Sequence, residues 1–258
     1  MKKTSILAIL AILLLSLLST EVLAQNLVIA GGGPLSDEIR RHLVSLSDKE
    51  NPQVLIIPHA TAPDNWENRG EQQSEVFAEL GAENSIALNL DDRRAAIRAI
   101  RESDVIWMPG GSQQRMMNAL DEAGVSDEFR LRVAEGIPTG GTSAGAAVMS
   151  DVMIANSNRD EETGALIPVM SNGFGFWPDV IIDQHFSERN RLERLERAVQ
   201  DHPDLTGIGI DESTAIVFNG IDFRVIGEGT VTVVKASSED SGTTVNRILY
   251  PGDRYNIQ

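Results

Sequence analysis

Apolar residues in the first two thirds of the chain fall in short, continuous runs separated by longer amphipathic stretches. Residues 26–30 run into Gly31-Gly32-Gly33-Pro34, and residues 54–57, 85–88, 105–108 and 181–183 have the same strand length. Unbroken apolar runs, without polar alternation, mark strands covered on both faces, as in a parallel sheet. Between them the period changes. A helix is predicted from Ser36, with Asp37 and Glu38 in its first turn and Ile39, Leu43 and Leu46 at helical spacing. Residues 72–80, 93–101 and 113–123 read as further helices. Strands alternating with helices predict an α/β fold, a doubly wound and largely parallel sheet. The last quarter differs. Residues 215–218, 223–226, 231–234 and 247–249 are short β runs separated by Asn219-Gly220, Gly227-Glu228-Gly229 and a Ser/Asp/Gly stretch. That is antiparallel hairpin character. It predicts an extension of the sheet plus a small β appendage.

The chain begins differently. Lys2 and Lys3 precede an apolar run over residues 6–18, then Val22-Leu23-Ala24. A basic start, an apolar stretch and a small-residue cleavage site make a secretory leader. The expectation is a signal peptide over residues 1–24, a single α/β domain over residues 25–258, and export to the periplasm or exterior. The apolar run is short for a bilayer span, so no stable membrane span is expected after processing.

Composition narrows the chemistry. With 41% hydrophobic and 23% charged residues the usage is that of an ordinary globular protein, which excludes wholesale disorder. The absence of cysteine excludes disulfides, thiolate metal sites, a lipidated N-terminus and a cysteine nucleophile. Against 22 Lys+Arg stand 38 Asp+Glu, a net charge of −16, the wrong sign for a nucleic-acid partner. No H-e-x-x-H metal motif occurs, and Ser36 stands where the glycine loop after residue 30 would need the last Gly of G-x-G-x-x-G. Neither a metal nor a nucleotide cofactor is expected.

Ligands of open α/β sheets sit at the carboxyl ends of the strands. Three such loops carry unusual residues: Pro109-Gly110-Gly111-Ser112-Gln113, residues 140–146, and Asp183-Gln184-His185. Gly141-Thr142-Ser143-Ala144-Gly145 satisfies G-x-S-x-G, in which a strained strand-to-helix turn lifts a serine hydroxyl above the sheet. The same pattern would serve a helix-capping serine. The small residues around Ser143 and its place at a strand end favour a nucleophile. Such a serine needs a general base. His42 lies beside Arg40 and Arg41, and His202 precedes Pro203; both read as surface residues. His59 follows a buried strand but precedes the serine. His185 ends a buried strand and is the preferred base. Asp151, Asp160, Glu161, Glu162 and Asp179 lie between Ser143 and His185, and spacing does not choose an orienting acid among them. Asp211-Glu212, after residues 208–210, has two readings, a pair that reaches the site or a plain strand-end turn, and is not counted among the candidates. The Ala144 N–H and a backbone N–H from Gly110-Gly111 are the expected oxyanion donors.

Three segments together resemble cyanophycinases of the S51 serine peptidase family, which also contains aspartyl dipeptidases. They are G-G-T-S-A-G-A at residues 140–146, D-Q-H-F-S-E-R-N-R at residues 183–191 and G-I-G-I-D-E-S-T-A at residues 207–215. The resemblance implies a flavodoxin-like or glutamine-amidotransferase-like fold and a homodimer. It implies Ser143 as nucleophile, His185 as base and Glu161 as acid, beside the oxyanion donors Gly111 and Ala144 expected from the turns themselves. It also implies a pocket lined by Gln113, Asp183, Gln184, Arg189, Arg191 and Arg194. Ser112 departs from the family, which usually has Asp there. The implied substrate is multi-L-arginyl-poly-L-aspartate, cleaved to β-aspartyl-arginine through an acyl-enzyme. Two other readings compete: an S51-type peptidase acting on aspartyl dipeptides or isopeptides, and a non-catalytic binder of cationic peptides. Without the resemblance, a salt-bridged helix face accounts equally well for the arginines, since Glu188, Glu193 and Glu196 interleave with them.

Overall fold

The computed structural model describes residues 26–240 and 242–257; the expected leader lies outside them. The described chain contains fourteen strands in three sheets. The largest has eight, five of them from the first two thirds: β1 (Leu27–Ala30), β2 (Val54–Ile56), β3 (Ile86–Ala87), β4 (Val105–Met108) and β5 (Thr139–Thr142). These five run parallel, in the order β1-β5-β4-β2-β3. Their continuous apolar runs follow from burial on both faces. Leu27 and Ile29 pack into one core, while Val28 and Ala30 pack into the other. Ile106 and Met108 divide from Val105 and Trp107 in the same way, as the two-residue period of a strand requires.

Helices cover both faces. The helix α1 (Asp37–Ser45) places Ile39 and Leu43 against Trp107 and Val28. The helix α2 (Trp66–Glu79) adds Phe77 to that core, and its Gln73 Oε1 accepts the Trp107 indole N–H at 2.9 Å. On the opposite face α3 (Arg93–Glu102), α4 (Gln113–Glu122) and α5 (Ser126–Ala134) contribute Ile100, Met116, Leu120 and Phe129. The α3 start is capped by Asp92, whose carboxylate accepts from Arg94 N–H at 2.8 Å and Ala95 N–H at 3.1 Å. A cap of this kind contributes about 1 kcal/mol.

The other nine described strands are arranged differently. The hairpin β6 (Val152–Arg159) and β7 (Leu166–Asn172) forms its own sheet. Strand β8 (Val180–Gln184) does not join the main sheet. It pairs in parallel with β9 (Thr206–Ile210), separated from it in sequence by α7 (Leu192–Asp201). Strands β12 (Val231–Ala236) and β13 (Thr244–Leu249) complete this second sheet, while β10 (Thr214–Phe218), β11 (Asp222–Gly227) and β14 (Arg254–Asn256) extend the main one beyond β1, each antiparallel to its neighbour. The second sheet turns Val180, Ile182, Ile208 and Ile210 into the main core and Ile181 towards Leu195 and Val199 of α7. The residues that follow β1 and β8 meet, His185 N–H donating to the Gly31 carbonyl at 2.7 Å. No helix among the described residues is long and apolar enough to cross a membrane.

Candidate active site

The end of β5 turns sharply into the four-residue helix α6 (Ala144–Ala147) at Ser143, whose φ of 54° lies in the left-handed region. A non-glycine residue there is strained, and such strain persists only where the surroundings hold it. Both flanking glycines are needed for that turn. A Cβ on Gly145 would lie 2.0 Å from the Met108 carbonyl oxygen, and one on Gly141 would lie 2.4 Å from the Gly145 oxygen. The Gly110 backbone runs directly beside the serine, where an added Cβ would stand 3.2 Å from Ser143 Cβ. Ser143 itself is half-buried, so its hydroxyl can be reached.

His185 follows β8 and also has a positive φ, 50°. Its Nε2 lies 2.9 Å from Ser143 Oγ. Its Nδ1 lies 2.5 Å from Glu212 Oε1. Glu212 follows β9, the parallel neighbour of β8, so base and carboxylate leave adjacent strand ends. Burial pulls the His185 pKa below that of a free imidazole, assisted by the charges of Arg189 and Arg191, while the Glu212 hydrogen bond and charge oppose the fall. The ring is therefore neutral over most of the physiological range, as a proton acceptor must be.

One backbone segment aligns all three groups. The carbonyls of Ala30, Gly31 and Gly32 accept, in turn, the N–H of Ser143 at 3.1 Å, of His185 at 2.7 Å and of Ser213 at 3.0 Å. The imidazole lies over Gly32, where a Cβ would fall 2.3 Å from His185 Cε1. The glycine run after β1, which fails as a nucleotide loop, is thus the bed on which base and carboxylate rest.

The acid expected at Glu161 is elsewhere. Residues 160–165 are the tip of the β6–β7 hairpin, where the Asp160 carboxylate accepts the Glu162 and Thr163 N–H groups at 3.1 and 2.8 Å and Glu161 stands exposed. The imidazole is met by Glu212 instead. Chain order Ser…acid…His pointed away from it. The signal that would have found it is close to the one that found His185: a titratable residue within two positions of the end of a buried strand.

The remaining pocket candidates form a polar network beside the site. Asp183 is 1% exposed and is paired with both Arg191 and Arg194. Arg194, 6% exposed, holds Asp183 Oδ2 through Nε at 2.9 Å and Ser157 Oγ of β6 through Nη1 at 2.7 Å. Breaking so buried a pair costs about 3–5 kcal/mol. Arg191 bonds Gln184 Oε1 at 2.7 Å, and burial lowers its pKa to about 10. Gln113 opens α4 and donates to the Ile154 carbonyl at 2.9 Å. Ser112 caps that helix, accepting Arg115 N–H at 3.3 Å. Only Arg189 of the three candidate arginines is exposed. The network fixes the loop that carries His185, and the exposed Arg189 side chain is not part of it. His59, after β2, is stacked on Trp66 at 5.0 Å and buried. Its neighbour Ala60 accepts Ser112 N–H at 2.8 Å and Arg115 Nη1 at 2.7 Å, bracing the turn at Gly111. No group of three or more His, Asp or Glu among the described residues is placed to hold a metal ion.

The chain is similar in sequence to known proteins. Residues 27–226 match the family described as Peptidase family S51. A cyanophycinase of Geminocystis herdmanii is 38% identical over 224 residues, covering 79% of this chain and 82% of that protein. A cyanophycinase of Trichormus variabilis is 37% identical, covering 76% and 68%. A peptidase E of Nostoc sp. is 25% identical, covering 72% and 77%. Among solved structures, a peptidase from an acI-B1 Actinobacterium superposes with a TM-score of 0.64 at 22% identity, covering 93% of this chain and all of that one, which supports the fold.

Proposed function

The chain belongs to Peptidase family S51, a family of serine-type peptidases, and from that footing we propose that it degrades cyanophycin, the arginine-bearing polyaspartate, to β-aspartyl-arginine. The observation that carries the proposal is the hydrogen-bonded chain from Ser143 through His185 to Glu212. Glu212 accepts a hydrogen bond from Nδ1–H, which leaves the Nε2 lone pair facing the serine. His185 removes the Ser143 proton as Oγ attacks an amide carbonyl of the polymer backbone. The negative charge that develops on the carbonyl oxygen faces the Ala144 N–H at the start of α6 and the Gly110-Gly111 backbone. The imidazolium, stabilised by Glu212, returns the proton to the departing amine. Water, deprotonated by the same ring, then cleaves the acyl-enzyme and frees Ser143. Arg189 supplies a positive charge for a carboxylate of the repeating unit.

Incubation of the purified protein with cyanophycin and mass analysis of the products tests this. β-Aspartyl-arginine is the expected product. Ser143→Ala and Glu212→Gln should each lower kcat by on the order of 10³-fold or more, and Glu161→Ala should leave it within twofold. Turnover by Ser143→Ala would refute the nucleophile. An intact polymer alongside cleaved aspartyl dipeptides would favour the competing reading, a peptidase of the same family acting on aspartyl dipeptides. Ligand retention without any hydrolysis would favour a binder of cationic peptides. Export through the basic and apolar leader, and assembly as a homodimer, belong to the same proposal; cell fractionation and light scattering test them.

A further inference from the structure

Two carboxylates next to the base and acid make contacts that the reaction does not consume. Asp211 precedes Glu212 and is 7% exposed. Its Oδ1 accepts the backbone N–H of Ser187, two residues past His185, at 3.0 Å. Glu188 reaches the other way, and its Oε1 accepts the backbone N–H of Glu212 at 3.1 Å. Each loop therefore holds the main chain of the other with a carboxylate. The second oxygen of Asp211 accepts Thr230 N–H at 2.9 Å and Thr230 Oγ1 at 2.6 Å, which ties the pair to the start of β12.

The need for such a fastening is visible in the backbone. His185 and Ser213, which bracket the contact, have φ of 50° and 55°. Conformations of this kind cost about 1 kcal/mol or more each and relax unless held. The Glu212 side chain is 30% exposed, and its carboxylate bonds the His185 ring and no other described side chain. Its direction is therefore set by its main chain, whose N–H is in the grip of Glu188.

We infer that Asp211 and Glu188 are positioning residues, a reciprocal clamp that holds the base loop and the acid loop in register and so sets the His185–Glu212 hydrogen bond. The inference rests on reading Ser143, His185 and Glu212 as the catalytic triad. It separates two roles within adjacent carboxylates: Glu212 acts on the imidazole, and Asp211 acts on the loop that presents it.

The test uses the full-length protein with cyanophycin as substrate. Glu188 is exposed, so its variants leave the core intact and carry the decision. Glu188→Gln keeps an acceptor oxygen for the Glu212 N–H, whereas Glu188→Ala removes it. The Ala variant should lose about tenfold in kcat, by slackening the geometry, with KM within twofold. The midpoint of the acid limb of kcat/KM should move to lower pH, because weakening the Glu212 contact removes what raises the His185 pKa. Arg189 and Arg191, which also act on that ring, are unchanged in both variants. The Gln variant should return kcat and the limb to the wild-type values. Asp211→Asn, which turns one acceptor oxygen into a donor, should mimic the Ala variant. A wild-type kcat and acid limb in Glu188→Ala would overturn the clamp, and so would a Gln variant as impaired as the Ala variant. Ser143→Ala and Glu212→Gln run in parallel separate the two levels: if they stay active the triad reading fails, and if they are inactive while Glu188→Ala is normal only the clamp fails.

Discussion

A single methyl group on Gly32 tests whether the glycine loop after β1 belongs to the active site. In Gly32→Ala the new Cβ would fall 2.3 Å from His185 Cε1, 2.6 Å from Nε2 and 2.8 Å from Nδ1. Non-bonded carbons approach to about 3.5 Å, so the ring must retreat by about 1 Å. The 2.9 Å contact between Nε2 and Ser143 Oγ would then open to about 4 Å, beyond hydrogen-bonding reach. A misplacement of about 1 Å costs on the order of 10²-fold in rate, or about 2.7 kcal/mol of barrier. The backbone adds its own penalty, since Gly32 has φ of 108° and an alanine there is strained by about 1 kcal/mol. That part lowers the melting temperature by only about 2–4 °C in a domain of this size. Gly81→Ala is the control, because Gly81 has φ of 96° with nothing within 4 Å of an added Cβ. The two variants should share a small loss in thermal stability, and initial rates on cyanophycin should fall about a hundredfold only in the first. Gly32→Ala with more than a third of wild-type activity would refute the reasoning, as would an equal loss in Gly81→Ala.

Two pH effects should follow from buried imidazoles. The His185 pKa is lowered by burial, and the base acts when neutral, so kcat/KM should rise with pH along a limb whose midpoint lies below about 6.5. A midpoint above that value in the pH–rate profile would contradict the assignment. His59 is buried against Trp66, and burial lowers its pKa from 6.5 to about 4. The unfolded chain therefore takes up this proton first, and stability is full above about pH 6.5 and falls as pH drops towards 4. The gap corresponds to on the order of 3 kcal/mol at 1.36 kcal/mol per unit. His59→Phe should lose less stability than the wild type between pH 7 and 4.5 in urea unfolding; equal acid sensitivity would count against this account.

The parallel core was legible because burial on both faces writes itself as unbroken apolar runs, as in Val105–Met108. Strand β6 was not, since its end carries Asn156, Ser157, Asn158 and Arg159 and packs on one side only. The run at residues 181–183 announced a strand but not its partner; joining β9 instead of the main sheet is decided by which side chains face α7. At the site, Ser143 and His185 were readable from a motif and a strand end. Glu212 shares that second signal, but Asp211-Glu212 also makes an ordinary turn, and a search confined to residues between serine and histidine passes over it. The requirement for glycine at position 32 comes from an imidazole some 150 residues away, and no local pattern encodes such a neighbour.

The three successive carbonyls of Ala30, Gly31 and Gly32 have a consequence for how such a protein can change. Neighbouring residues of one chain sit a fixed 3.8 Å apart, so this tripeptide works as a ruler against which three distant loops are measured. Behind their anchor points those loops are at liberty to lengthen, shorten or acquire new side chains while the distances between hydroxyl, ring and carboxylate stay constant. A residue inserted into the ruler itself would displace every mark at once.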